Sequence, residues 1–215
     1  MTSEKRSALV IGATGLVGAK VVAKLLSSEK YTHVKVLVRK PFESDHAKLE
    51  SIIFDFDHPD PLLAQADDVF CCLGTTMKKA GSKDAFYRVD YTYPYEIAKL
   101  ALANGAKRFS IITAMGADRS SLFYYNRVKG EIEESLKKMG YETLLIFRPS
   151  LLVGKRADTR FGEVAGEWLM KVFQFIIPAK YRSIEADKVA EAMVSITSSN
   201  VKGTLVYESD LMQEF

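Results

Sequence analysis

The stretch Tyr125-Asn126-Arg127-Val128-Lys129 sets a phenol and an ammonium four residues apart. On a helix, that spacing puts both side chains on one face. A phenol with a pKa of about 10 is a poor proton source or base near neutral pH, and a nearby ammonium favours the phenolate. Tyr125 is then placed to protonate a carbonyl oxygen as hydride arrives, or to take the proton back from an alcohol. Tyr124 lacks the spacing to Lys129. Thr113, at the end of the preceding apolar run, carries a hydroxyl expected to hold the substrate oxygen. A Tyr-x-x-x-Lys match alone also describes an exposed tyrosine beside a solvated lysine. Its position one strand-to-helix loop after Thr113 favours the catalytic reading.

Hydride chemistry needs a carrier, and the N-terminal region supplies a place for one. Gly12-Ala13-Thr14-Gly15-Leu16-Val17-Gly18 follows an apolar strand and opens an amphipathic helix. Gly12 permits the sharp turn, Gly15 lets the backbone approach a pyrophosphate, and Gly18 lets the helix pack on the sheet. The helix N-terminus offers free N–H groups and a positive dipole end to phosphates. The next strand runs into Arg39-Lys40. Sites for NAD usually carry Asp or Glu here for the ribose 2′-hydroxyl, whereas Arg39 suits a 2′-phosphate. The expected cofactor is therefore NADP(H), with Lys129 also reaching the nicotinamide ribose. The plainer alternative for Arg39 and Lys40 is a solvated basic pair at a strand end.

The elements that must hold these residues alternate. Strands are expected at Ala8–Ile11, Val34–Val38, Ser51–Phe54, Asp68–Leu73, Phe109–Thr113, Thr143–Arg148 and Thr204–Tyr207. Helices are expected at Leu16–Leu26, Lys83–Ala103 with a bend near Pro94, Phe123–Lys138, Glu163–Phe175 and Ala186–Ile196. That order predicts an α/β Rossmann-type doubly wound parallel sheet with helices on both faces. It reads as a single domain over residues 1–215, with residues 150–185 forming a small C-terminal subdomain on the substrate side.

With 215 residues the chain is long enough to bury a core without disulfides or a metal. Thirty basic and 27 acidic residues leave a formal charge of +3, scattered along the chain. No Lys/Arg-rich face points to nucleic acid. No run of about 18 apolar residues could span a membrane, and no secretory leader is seen; a cytoplasmic protein is expected. Cys71 and Cys72 are adjacent and point to opposite strand faces, so a disulfide between them is not expected. His33, His46 and His58 lack metal-ligand spacing, and no metal is expected.

Several stretches together resemble one family. They are Cys72-Leu73-Gly74-Thr75-Thr76, Lys79-Ala80-Gly81-Ser82, Gly116-Ala117-Asp118, Ser120-Ser121, Tyr125 to Lys129 with Gly130-Glu131, Phe147-Arg148-Pro149, and Gly166-Glu167-Trp168-Leu169. This set resembles the HIV Tat-interacting-protein-like oxidoreductases, atypical short-chain dehydrogenases of animals and bacteria, along nearly the whole chain. The resemblance implies that Gly12, Thr14, Gly15, Leu16 and Val17 line the pyrophosphate and Arg39 the 2′-phosphate. It implies that Asp55 and Phe56 meet the adenine, although a plain polar turn explains them as well. Leu73, Gly74 and Thr75 would pass under the cofactor, Tyr125 and Lys129 would flank the nicotinamide, and Arg148, Pro149 and Ser150 would close that end. Thr113 stands where the family usually has Ser.

The reading that follows is an NADP(H)-dependent oxidoreductase acting on a small carbonyl or alcohol. Met77, Met115, Phe161 and Trp168 are candidate pocket residues, with core packing as the alternative. A non-catalytic NADP(H)-binding redox sensor or regulatory protein is the second reading, and a nucleotide-sugar epimerase or dehydratase the third. A homodimer is compatible with the sequence, but no exposed stripe identifies its face.

Overall fold

Ala8, Leu9, Val10 and Ile11 are all fully buried, which requires cover on both faces of the first strand. The computed structural model, which describes residues 5–154 and 178–215, shows that cover. The described elements are β1 (Arg6–Ile11), α1 (Gly18–Ser27), β2 (Tyr31–Val38), β3 (Leu49–Ile53), β4 (Asp68–Cys71), α2 (Met77–Ala80), α3 (Lys83–Tyr87), α4 (Tyr93–Ala103), β5 (Arg108–Ile112), α5 (Tyr124–Lys137), β6 (Thr143–Arg148), β7 (Leu152–Val153), β8 (Ile184–Glu185), α6 (Ala186–Thr197), β9 (Gly203–Glu208) and α7 (Ser209–Met212). Seven strands form a parallel sheet in the order β3-β2-β1-β4-β5-β6-β9, and β7 pairs with β8 in a small parallel ladder.

Side chains on a strand alternate between faces, and β1 divides its residues accordingly. Ala8 and Val10 pack with Val21 and Leu25 of α1 and with Val189 and Met193 of α6. Leu9 and Ile11 pack with Ile97 and Ala101 of α4 and with Ile132 and Leu136 of α5. Each buried aliphatic side chain of this size contributes roughly 1.5–3 kcal/mol. Strand order reverses between β1 and β4, and the crevice beyond their carboxyl ends is where open α/β sheets bind ligands.

The opposite end of the sheet carries a buried charge cluster built from strand-initial residues. The parallel register brings Arg6, Tyr31, Asp68 and Arg108, the first residues of β1, β2, β4 and β5, to one edge. Asp68 is fully buried. It accepts from the Tyr31 hydroxyl at 2.7 Å and from Arg108 at 3.1 Å, with Arg6 at 3.5 Å.

Several element bounds differ from the sequence expectation, two of them beside the site. The first helix begins at Gly18 rather than Leu16, because the turn closes on itself, with the Gly15 amide donating to the Gly12 carbonyl at 2.9 Å. The strand expected to reach Leu73 ends at Cys71. The bend expected near Pro94 in the helix over Lys83–Ala103 is found, as a wide π turn at Arg88–Thr92 in which the Tyr93 amide reaches back to the Arg88 carbonyl. Pro94 supplies the reason: it has no N–H for the Asp90 carbonyl four residues earlier, and its ring crowds that carbonyl. The helix expected at Glu163–Phe175, and with it Phe161 and Trp168, lies outside the described residues.

Candidate active site

The glycine turn forms a cradle that side chains would fill. Gly12 has a φ of +81°, and a Cβ there would lie 2.5 Å from the Cys72 carbonyl, so β1 and the end of β4 approach backbone to backbone. A Cβ on Gly18 would lie 2.1 Å from the Gly12 carbonyl oxygen. The first turn of α1 has no side-chain cap and no acidic residue. Its amides and dipole are left for an anion from outside the helix. Thr14 and Gly15 are exposed and Leu16 is half-buried, whereas the Val17 side chain is in the core, so Val17 offers only its backbone. These features fit a pyrophosphate.

Arg39 and Lys40 are exposed just past β2, and Arg39 makes no ion pair among the described residues. Asp55 is committed to its own turn, accepting from the Asp57 and His58 amides at 2.9 and 3.3 Å and facing the His58 ring at 3.1 Å. Phe56 packs edge-on against Phe54, 5.0 Å between centroids, and lies 5.4 Å from Tyr93.

On the other side of the crevice, α5 carries Tyr125 and Lys129 on one face. Tyr125 is 37% exposed and rests on Phe86 of α3, 5.6 Å between centroids. Lys129 is 4% exposed, and its Nζ lies 2.7 Å from Asp90 Oδ1. This is an ion pair by distance; the approach is off the hydrogen-bond line. Asp90 Oδ2 accepts the Thr75 amide at 3.0 Å. A Cβ on Gly74 would sit 3.6 Å from Asp90 Oδ1 and 3.7 Å from Lys129 Nζ, so the loop after β4 passes directly over this pair. Burial works to lower the Lys129 pKa, but the Asp90 carboxylate and the Tyr125 phenol more than offset it and hold the ammonium above its ordinary value.

Thr113 and Arg148 meet at one buried carboxylate. Thr113 is 4% exposed, and its hydroxyl donates to Glu133 Oε1 at 2.6 Å. The proton of the hydroxyl expected to hold a substrate oxygen is given to a buried carboxylate on α5. Arg148 binds the same Glu133 through Nε at 3.0 Å and through Nη2, and binds Glu208 of β9 through Nη1 at 3.1 Å. Its guanidinium ties β6 to α5 and β9. Pro149 is buried, its carbonyl accepting the Met115 amide at 3.0 Å. The Ser150 hydroxyl contacts the Arg182 carbonyl and, at 2.9 Å, the Ser209 hydroxyl.

The glycine cradle and the Tyr–Lys pair thus lie to either side of the β4 end and the loop that follows it. The NAD(P)H-binding family matches residues 12–200. The rat protein HTATIP2 is 34% identical over 186 residues, covering 84% of this chain and 75% of its own. The chain belongs to the HTATIP2-like family of atypical short-chain dehydrogenase/reductases. Within the HTATIP2-like relatives, the mitochondrial protein FMP52 of Candida albicans is 30% identical over 211 residues, covering 93% of this chain and 91% of its own. Two solved structures share the fold at a TM-score of 0.72. One is a UDP-N-acetylglucosamine 4-epimerase from Methanobrevibacter ruminantium in complex with UDP-N-acetylmuramic acid, 14% identical, with 95% of this chain and 77% of that one covered. The other is MoeE5 in complex with UDP-glucose and NAD, 15% identical, with 93% and 74% covered.

Membership of the HTATIP2-like family carries a nicotinamide-cofactor fold. It also overturns one expectation. A cytoplasmic location is the expectation from the lack of a spanning run and a secretory leader, yet several of the relatives matched here are designated mitochondrial, so that expectation does not stand.

Sequence reasoning missed three carboxylates of this HTATIP2-like site. Glu133 continues the spacing of Tyr125 and Lys129 by one more turn, a signal available in the sequence. Asp90 lies four residues before Pro94, and only the break in the helix marks it. Glu208 comes from the last strand and is joined to the rest by tertiary contact alone. Met77 is 37% exposed on α2 and Met115 is half-buried beside Pro149. Among the described residues no cluster of three or more His, Cys, Asp or Glu could hold a metal ion.

Proposed function

We propose that the protein is an NADP(H)-dependent oxidoreductase that interconverts a small carbonyl compound and its alcohol. The observation that carries this reading is the continuous line from the glycine cradle to the tyrosine. Gly12 abuts Cys72, the loop two residues on passes over Lys129, and Lys129 shares a helix face with Tyr125. Gly12, Thr14, Gly15 and the backbone of Leu16 and Val17 would hold the pyrophosphate, with Arg39 on the 2′-phosphate. Lys129 would bind the nicotinamide ribose, with Leu73, Gly74 and Thr75 as the floor. When bound, the cofactor supplies or accepts hydride. Tyr125, the exposed phenol at the mouth, donates the proton to the carbonyl oxygen or removes it from the alcohol.

A second reading has one observation in its favour. With the Thr113 hydroxyl committed to Glu133, the substrate oxygen loses an expected donor, and such donors are each worth about 10²–10³ in rate. A protein that binds NADP(H) as a regulatory ligand and turns over slowly or not at all fits this arrangement.

Parallel titrations with NADPH and NADH, followed by cofactor fluorescence, test the site. Arg39→Ala is expected to weaken NADPH binding by roughly 10–100-fold, as loss of charged hydrogen bonds predicts, and to leave NADH binding unchanged. Equal effects on both cofactors, or preference of the wild type for NADH, would remove Arg39 and NADP(H) from the proposal. A carbonyl screen with no turnover by the NADPH-bound protein would favour the regulatory reading.

A further inference from the structure

Lys129 and Asp90 are 4% and 1% exposed. At that depth an isolated ammonium is driven toward the neutral amine. The titratable groups that act on Lys129 are Asp90 from the π turn, Tyr125 from α5 and Cys71 from β4. Cys71 stays a neutral thiol, its pKa pushed up to about 12 by burial. Asp90 is the carboxylate of the set, and it has two contacts: Lys129 Nζ at 2.7 Å through Oδ1 and the Thr75 amide at 3.0 Å through Oδ2.

We propose that Asp90 is a positioning residue: it supplies the countercharge that keeps the buried Lys129 an ammonium, and it couples Lys129 to the Thr75 amide. The lysine and the Gly74–Thr75 backbone then meet a nicotinamide ribose as one unit. This rests on the reading of Tyr125 and Lys129 as the hydride-side machinery. The π turn has a purpose in this arrangement. Pro94 breaks the regular helix at the carbonyl of Asp90, and the widened turn carries the Asp90 side chain into contact with α5 and the β4 loop.

Asp90→Asn removes the charge and retains an oxygen for the Thr75 amide. Burial then acts on Lys129 without its counterion, and the folded protein releases the lysine proton more readily than the unfolded chain does. In that window the unfolded state binds more protons, so stability rises with pH. In the wild type Lys129 is held above its ordinary value, so its contribution is present in full across the same window and adds no slope.

The experiment is a set of thermal melts from pH 7 to 9.5 on the full chain, with NADPH titrations at each pH. The variants are Asp90→Asn, Asp90→Asn/Lys129→Met, and Tyr125→Phe. The expected result is a Tm deficit of Asp90→Asn that shrinks with rising pH by about 3–5 °C per unit. The double variant should lack that slope. NADPH affinity of Asp90→Asn should fall about 10-fold as Lys129 discharges, at about one pK unit per tenfold change, while the wild type stays flat. Parallel melts for the wild type and Asp90→Asn overturn the proposal. If Asp90→Asn does not fold, recovery of folding in the double variant supports the countercharge, and failure to recover overturns it. Failure of the site reading looks different: the wild type does not bind NADPH, or Tyr125→Phe keeps full turnover, while the melt comparison is unaffected.

Discussion

The Thr113 hydroxyl donates to Glu133 Oε1 at 2.6 Å, and this bond ties the end of β5 to α5. Glu133 is 1% exposed and is met on its other side by Arg148, which also reaches Glu208. Tyr125, Lys129 and Glu133 recur along one face of α5, and the last of them anchors the helix to β5 and β6.

Thr113→Val is therefore expected to cost about 1.5–3 kcal/mol of stability, the range for a hydrogen bond to a charged group. Thr113→Ser should restore most of it. NADPH affinity should be unchanged in both. Urea denaturation and cofactor titration read the two quantities separately, and a selective loss of turnover with intact stability would return Thr113 to the substrate.

Arg148→Met leaves the buried Glu133 without its cation. Removing one partner of a buried ion pair costs about 3–5 kcal/mol. The pairing holds the guanidinium well above its ordinary range, so it is charged at any pH where the protein folds. The measurement is equilibrium unfolding at neutral pH. A cost below about 1 kcal/mol, the value for an exposed pair, would contradict the burial of this network.

Tyr125→Phe keeps the ring on Phe86 and removes only the hydroxyl. Turnover of a carbonyl found by screening should drop by about 10²–10⁴, the contribution of a positioned acid or base, with NADPH affinity nearly constant. Persistence of the wild-type rate would show that the proton comes from elsewhere.

Gly18→Ala tests the packing role of the third glycine. Its Cβ would meet the Gly12 carbonyl oxygen at 2.1 Å, a backbone atom with nowhere to move. A loss of about 3 kcal/mol or more is expected, at the upper end for overpacking, together with weaker NADPH binding. Gly81→Ala, where a Cβ meets nothing within 4 Å but φ is +78°, should cost about 1 kcal/mol by backbone strain alone and leave NADPH binding intact.

Alkaline pH should destabilise the fold. Burial holds Tyr31 and Tyr141 above the ordinary tyrosine value and pushes Cys71 up to about 12. For groups raised in the folded state, the stabilising contribution is complete below the unfolded pKa and is lost as pH rises through the folded one. Stability should fall from about pH 9 upward, where unfolded thiols and phenols begin to titrate. Tyr141→Phe, which removes a hydroxyl donating to the Ala98 carbonyl at 2.6 Å, should cost about 1 kcal/mol at neutral pH and flatten the alkaline slope. Chemical denaturation at successive pH values measures both, and an unchanged slope would mean that Tyr141 ionises as readily in the folded protein as in the unfolded chain.

Local signals in the sequence determined the strands, the glycine turn and the Tyr125–Lys129 spacing. Buried parallel strands must be apolar on both faces, positions 12 and 18 have no room for a Cβ, and neighbours on one helix face sit three or four residues apart. Each of these constraints acts within a few residues, and so leaves a mark within a few residues. The partners of those groups obey no such rule. Glu133 is eight residues from Tyr125, yet its role depends on Thr113, Arg148 and Glu208 arriving from β5, β6 and β9. Asp90 finds Lys129 39 residues away because α4 and α5 pack side by side and Pro94 opens the helix between them. A hydroxyl at position 113 looks available in the sequence because sequence does not say which side chains are shut away from water. The tertiary structure decided that, by closing a carboxylate over the hydroxyl and leaving the phenol at position 125 at the surface of the crevice.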